Sequence, residues 1–196
     1  MSVRIRPATG ADAAALAALA ARTFRETYTG LHDPGELAAY LARAFGPERQ
    51  AAELADPASP YLLAEADGAL VGFAWLRFGP SPACAALPDP VEIARFYVAR
   101  EWHGRGVAQA LMAAALAEAR RRGARSAWLG VWQQNARAIA FYRKAGFTVI
   151  GTMTWEHYSE PQDDWVMALD LDRSPDPAAP AGSRSPCGSG APGASP

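Results

Sequence analysis

The chain has 196 residues, half of them apolar, and a formal net charge of −1. That length supports one domain with a sizeable core and leaves little for a second. The evenly mixed charge excludes a broad basic surface for nucleic acid or anionic membrane, and the two cysteines, Cys84 and Cys187, stand outside any CxxC pair or His/Cys cluster, which speaks against a metal site or a disulfide scaffold.

Taken in chain order, Val3–Arg6 alternates with period two and ends at Pro7, as a first strand does. Thr9 and Asp12 then precede an alanine- and leucine-rich run to about Arg22, which reads as a capped helix. The apolar part of that run, residues 13–21, is too short to span a bilayer, and no apolar core precedes a cleavage site, so the cytoplasm is the expected location. A second helix is expected from Pro34 to Phe45, closed by Gly46-Pro47, with a further helical piece from Glu48 to Leu54. Two strands follow, Tyr61–Glu65 and Ala69–Phe78, joined by Asp67-Gly68, a pair suited to a tight hairpin turn. A Pro- and Ala-rich loop from Gly79 to Pro90 leads to the strand Val91–Ala99.

A long helix is expected from Gly106 to Arg122, stopped by Gly123, with arginines in its last turn. The strand Ser126–Trp132, a helix from Ala136 to Ala145 stopped by Gly146, and two last strands near Thr148–Tyr158 and Asp164–Leu171 complete the pattern. Strand and helix alternate, which predicts a single α/β domain over residues 1–172, with a mixed central sheet of six to seven strands flanked by helices. Residues 173–196 are almost entirely Pro, Ala, Gly and Ser, a composition that cannot offset its ordering entropy and reads as a disordered tail.

The chemistry concentrates between residues 91 and 147. A strand ends near Ala99, a turn carries Gly104 and Gly106, and an amphipathic helix begins at once with Val107, Leu111 and Ala114 on one stripe. Glycines that let a backbone approach closely, followed by the unpaired N–H groups of a helix start, make a site for a diphosphate. No GxxxxGK[ST] occurs. The dinucleotide pattern GxGxxG lacks its third glycine, and the next strand ends in Gly130-Val131-Trp132 rather than an acid.

The run His103, Gly104, Arg105, Gly106, Val107, Ala108 resembles motif A of the GNAT acetyltransferase superfamily, Gln/Arg-x-x-Gly-x-Gly/Ala, with His103 in place of the usual Gln or Arg. Residues 128–147 resemble motif B, with Asn135, Ala138, Phe141, Tyr142, Gly146 and Phe147 at the matching positions. On a helical wheel Asn135, Ile139 and Tyr142 share a face. The resemblance implies the GNAT fold and acetyl-CoA as co-substrate, without a metal. It implies that the backbone of Phe96, Tyr97 and Val98 binds the thioester and pantetheine, that residues 103–108 and Asn135 complete the cofactor site, and that Tyr142 acts as general acid. It also points to Glu92 as general base; strand alternation would place Glu92 on one face with Phe96 and Val98, and the competing reading of Glu92 is a salt bridge to Arg95 or another arginine.

The resemblance implies an acceptor site shaped by the first helices and last strands, which offer Phe24, Glu26, Tyr28, Trp75, Trp155, Glu156, Tyr158, Glu160, Asp163 and Asp164. Acids among aromatics suit a cationic amine. Residues 23–28, 40–45 and 128–132 resemble the PaiA-type polyamine acetyltransferases, which implies a small primary amine as acceptor. A protein or peptide acceptor, or a regulator that binds acetyl-CoA without catalysis, remains the alternative, and the resemblance leaves a homodimer open.

Overall fold

The computed structural model describes residues 2–28, 33–155 and 162–172. Seven strands form one mixed sheet: β1 (Val3–Pro7), β2 (Tyr61–Ala66), β3 (Ala69–Phe78), β4 (Pro90–Val98), β5 (Ser126–Trp132), β6 (Thr148–Trp155) and β7 (Gln162–Asp170), in the order β1-β2-β3-β4-β5-β7-β6. Every neighbouring pair is antiparallel except β4 with β5. Five helices accompany them: α1 (Ala13–Tyr28), α2 (Pro34–Phe45), α3 (Pro47–Leu54), α4 (Val107–Arg121) and α5 (Ala136–Lys144). The tail beyond Asp172 and residues 156–161 lie outside the described residues.

Local chemistry accounts for most of these boundaries. Asp67 and Gly68 both have positive φ, 51° and 77°, the backbone of a tight turn between paired Ala66 and Ala69. Asp33 caps α2, its Oδ1 accepting from the N–H groups of Gly35 and Glu36 at 2.8 and 3.1 Å, with Pro34 as the first helical residue. At the start of α1, the Asp12 carboxylate accepts from the Thr9 N–H at 2.7 Å and from Arg6 at 2.7 and 2.8 Å, so one acid caps the helix and fastens it to β1. α1 runs to Tyr28, past the Arg22 expected from the alanine run. The β-branched Thr23 is tolerated because its hydroxyl donates to the Leu19 carbonyl at 2.9 Å, and Phe24 continues the buried face.

The sheet carries apolar layers on both faces. On one, α4 (Leu111, Met112, Ala115) and α5 (Ile139, Tyr142) pack on Leu76, Val91, Ile93 and Leu129. On the other, α1 and α2 pack Leu16, Phe24, Leu41 and Phe45 against Tyr61, Leu63, Phe73 and Trp75. A smaller cluster of Trp128, Val166 and Ala168 is covered by Cys84 and Leu87 from the long loop after β3. That loop comes so close to β6 that a Cβ on Gly151 would lie 2.6 Å from Cys84 Sγ.

Two irregularities in β4 set up the site. β4 and β5 pair only at Pro90–Ser126, Val91–Ala127 and Glu92–Trp128, and from Ile93 to Val98 the edge of β4 facing β5 has no strand partner among the described residues. On its other edge β4 carries a bulge: Trp75 pairs with Arg95 but Leu76 with Ile93, which leaves Ala94 as the extra residue. Among the described residues no helix is long and apolar enough to cross a membrane.

Candidate active site

Beyond Val98 a short 3-10 turn, Arg100–Trp102, brings the chain to His103. Gly104 and Gly106 then take φ of 74° and 80°, which side chains rarely adopt, and α4 starts at Val107. A Cβ on either glycine would meet no atom within 4 Å, so the turn faces open space rather than protein. The N-cap residue of α4, Gly106, has no side chain to cap the helix, which leaves its first N–H groups for an anion. This stretch, with Arg105, Val107 and Ala108, thus fits a diphosphate by its own geometry. Val107 itself is buried and anchors the helix start in the core.

His103 does not point away from the strand that precedes it. Its Nε2 lies 2.8 Å from the Val98 carbonyl oxygen, and its Nδ1 is in close contact with Arg137 Nη1 from α5. A proton on Nε2 satisfies both contacts, with Nδ1 accepting from the guanidinium. Sequence reasoning overlooked Arg137, although a basic residue in the first turn of a helix is a signal, since the helix dipole disfavours it there.

Asn135 caps α5, its Oδ1 accepting from the Ala138 N–H at 3.1 Å. Tyr142, two turns along, is buried to 8 % exposure. Its ring stands edge-on to Phe96 of β4 at 6.2 Å and to Phe147 at 6.0 Å, and Phe96 stacks on Phe141 at 5.6 Å. α5 therefore packs against β4 where the strand has lost its neighbour. Burial pushes the Tyr142 hydroxyl up from its ordinary pKa, against the opposing charge of Arg137. The hydroxyl therefore stays protonated at neutral pH.

The bulge corrects the expected face of Glu92. Simple alternation would align it with Phe96 and Val98, but the extra residue shifts the phase: Val91, Ile93, Phe96 and Val98 face α4 and α5, while Ala94 and Tyr97 face α1 and α2. Glu92 lies with the latter set, at the last pair before the strands part. Its partner is Arg77, the residue opposite on β3, whose Nε donates to Oε2 at 2.9 Å. Arg95 is engaged elsewhere, with Glu53 and Tyr61. Both Arg77 hydrogen bonds fall on Oε2, and Oε1 receives none from a described residue.

On that same face Tyr97 stacks on Phe73 at 5.5 Å, and burial holds its hydroxyl well above the ordinary tyrosine range. Tyr28, at the end of α1, meets Trp132, at the end of β5, with ring centroids 6.3 Å apart. Trp132 is paired across the strands with Asp164, a buried acid that accepts from Gln162 Nε2 at 2.9 Å. Trp75 is not part of this wall. It is stacked on Tyr61 at 5.3 Å in the core, its Nε1 donating to the Ser59 carbonyl. Phe24 is likewise buried, Glu26 and Asp163 are exposed, and Glu156, Tyr158, Glu160 and the Trp155 side chain lie outside the described residues. No group of three or more metal-ligating side chains occurs among the described residues.

The family model of the acetyltransferase (GNAT) family matches residues 18–147, more than half of the chain. An uncharacterized N-acetyltransferase of Mycobacterium tuberculosis is 38 % identical over 160 residues, covering 82 % of this chain and 98 % of its own length. A spermidine N(1)-acetyltransferase of Thermoplasma acidophilum is 25 % identical over 156 residues, covering 78 % of this chain and 92 % of its own. The crystal structure of a PaiA N-acetyltransferase from the same organism, in complex with coenzyme A, superposes with a TM-score of 0.72 at 23 % identity, over 87 % of this chain and 99 % of that one. With the family model matching more than half of its residues and a relative 38 % identical over most of both chains, the chain belongs to the GNAT family as an N-acetyltransferase.

Proposed function

We propose that the enzyme moves the acetyl group of acetyl-CoA directly to the primary amine of a small cationic acceptor, with polyamines as the candidate class. The observation that carries the acceptor class is the wall formed where Tyr28 meets Trp132 beside Asp164, aromatic faces next to a carboxylate. The 25 % identical spermidine acetyltransferase supports the same class.

When bound, acetyl-CoA supplies an acyl thioester as the electrophile. The turn at residues 103–108 holds the diphosphate with backbone N–H groups, and Asn135 fixes the start of α5 beside it. The unpartnered edge of β4 at Phe96, Tyr97 and Val98 offers backbone groups to pantetheine and a donor to the thioester oxygen as charge develops there. As the amine nitrogen bonds to the acetyl carbon and the C–S bond breaks, Tyr142, kept protonated by burial, gives its proton to the leaving sulfur, and the nitrogen's second proton restores the tyrosine hydroxyl. Glu92 takes the proton of the incoming ammonium through Oε1, while Arg77 holds Oε2 and fixes the carboxylate.

The test is acetyl-CoA-dependent thiol release by the purified protein against polyamines, amino acids and short peptides. Release with polyamines is expected. Release with peptides alone would replace the small amine by a protein acceptor. Tight acetyl-CoA binding with no release on any amine would replace the transferase reading by that of a regulator.

A further inference from the structure

Arg137 occupies a position where a helix ordinarily excludes positive charge. It is the second residue of α5, and the first turn of that helix carries no acidic side chain to offset it. Its exposed guanidinium forms no ion pair with any described carboxylate; its partner is the His103 ring. That ring is itself tied down, with Nε2 at 2.8 Å from the Val98 carbonyl oxygen. His103 thus acts as a bracket between the end of β4 and the start of α5.

The place to which Arg137 is bracketed matters. Immediately after His103 come Gly104 and Gly106, and then the uncapped start of α4. The uncapped start of α4 and a guanidinium with no counter-charge among the described residues therefore meet at one open turn. Each is electropositive, and together they repel one another in the absence of an anion. The charge is felt further in: Arg137 is the cation that opposes the rise of the Tyr142 pKa.

We propose that Arg137, seated by His103, is a diphosphate-binding residue of the acetyl-CoA site. The cation that the turn lacks at position 103 is delivered from α5 instead, and the histidine serves to position it. This rests on the reading that the turn at residues 103–108 holds the cofactor diphosphate.

The experiment is calorimetric titration of CoA, 3′-dephospho-CoA and pantetheine into the wild type and into Arg137→Gln, Arg137→Lys and His103→Ala. Arg137 is exposed and glutamine is as good a helix former, so the variant is expected to fold, which an unchanged thermal melt verifies. Arg137→Gln is expected to weaken CoA about tenfold, the effect of one charged hydrogen bond, and 3′-dephospho-CoA by the same factor. Arg137→Lys should fall between glutamine and wild type, His103→Ala should weaken CoA by a smaller factor, and pantetheine should bind all variants alike. CoA affinity unchanged in Arg137→Gln would overturn the proposal. So would a loss that disappears with 3′-dephospho-CoA, because the contact would then be to the 3′-phosphate. A wild type that fails to bind CoA would instead overturn the reading of the turn itself.

Discussion

Arg95, the residue after the bulge in β4, donates from Nη1 to the buried carboxylate of Glu53 on α3 at 2.6 Å. The Tyr61 hydroxyl closes the group, donating to the same carboxylate at 2.6 Å, and the guanidinium lies 4.7 Å from the Phe45 ring and 4.6 Å from Trp75. Phe96–Val98 follows directly in sequence. The ion pair therefore clamps the strand directly before the segment proposed to serve the thioester.

Glu53→Gln should accordingly destabilise the fold by about 3 kcal/mol, because it leaves the Arg95 charge buried without a counter-ion. Urea denaturation of the two proteins measures it. A loss within experimental error would mean that Arg95 finds water or another partner, and that the clamp contributes nothing.

Tyr142→Phe should lower kcat by about a hundredfold while CoA affinity stays within a factor of two, as expected for loss of a general acid without loss of packing. Since burial raises the hydroxyl pKa, the wild type should also show no alkaline loss of activity from this group below pH 10. Steady-state kinetics with a calorimetric CoA titration separates the two quantities. Full activity in the variant would remove Tyr142 from the chemistry.

Gly106 invites a paired substitution. At φ 80° any side chain is strained, but a Cβ meets no neighbouring atom, so Gly106→Ala should cost about 1 kcal/mol of stability and leave measurable CoA binding. Gly106→Glu carries the same strain and adds a carboxylate where the diphosphate is to sit, and its CoA binding should vanish. Equal affinities for the two variants would show that the turn does not hold the anion.

The acid side of the stability profile should carry the signature of Asp12. Its hydrogen bonds from Arg6 hold the carboxyl well below its ordinary value of 3.8, against the opposing effect of burial. A depressed folded pKa gives stability that is complete above the unfolded value and is lost as pH falls below it. Urea midpoints measured from pH 6 downward should therefore drop from about pH 4, and Asp12→Asn should flatten that part of the slope. An unchanged slope in the variant would assign the acid sensitivity to other carboxylates.

Much of this architecture was legible in the residues because the signals were local. Asp67-Gly68 announced its hairpin, Pro34 and Gly46 bounded α2, and the glycines at 104 and 106 marked the start of α4. What escaped was set by contacts across the chain. The length of α1 depended on Thr23 being satisfied within the helix and on Phe24 being buried. The bulge reversed the expected face of Glu92, although the large apolar residues do change phase between Ile93 and Phe96. The reading of Trp75 as an acceptor residue failed because an aromatic on a strand does not declare which layer it joins, and here the layer was the core with Tyr61. Arg137 was passed over because its role depends on His103, a residue far away in sequence.

The fork between β4 and β5 has a consequence for how such an enzyme can diversify. In the proposed assignment, the turn, α4 and α5 lie on one face of the sheet and hold a molecule that never changes, whereas the ends of α1, β5 and β7 meet on the other and receive whichever amine is presented. Under that assignment, substitutions at Tyr28, Trp132 or Asp164 are expected to retune the acceptor without disturbing the cofactor grip. One half of the molecule is a fixed tool-holder, and the other is an exchangeable bit.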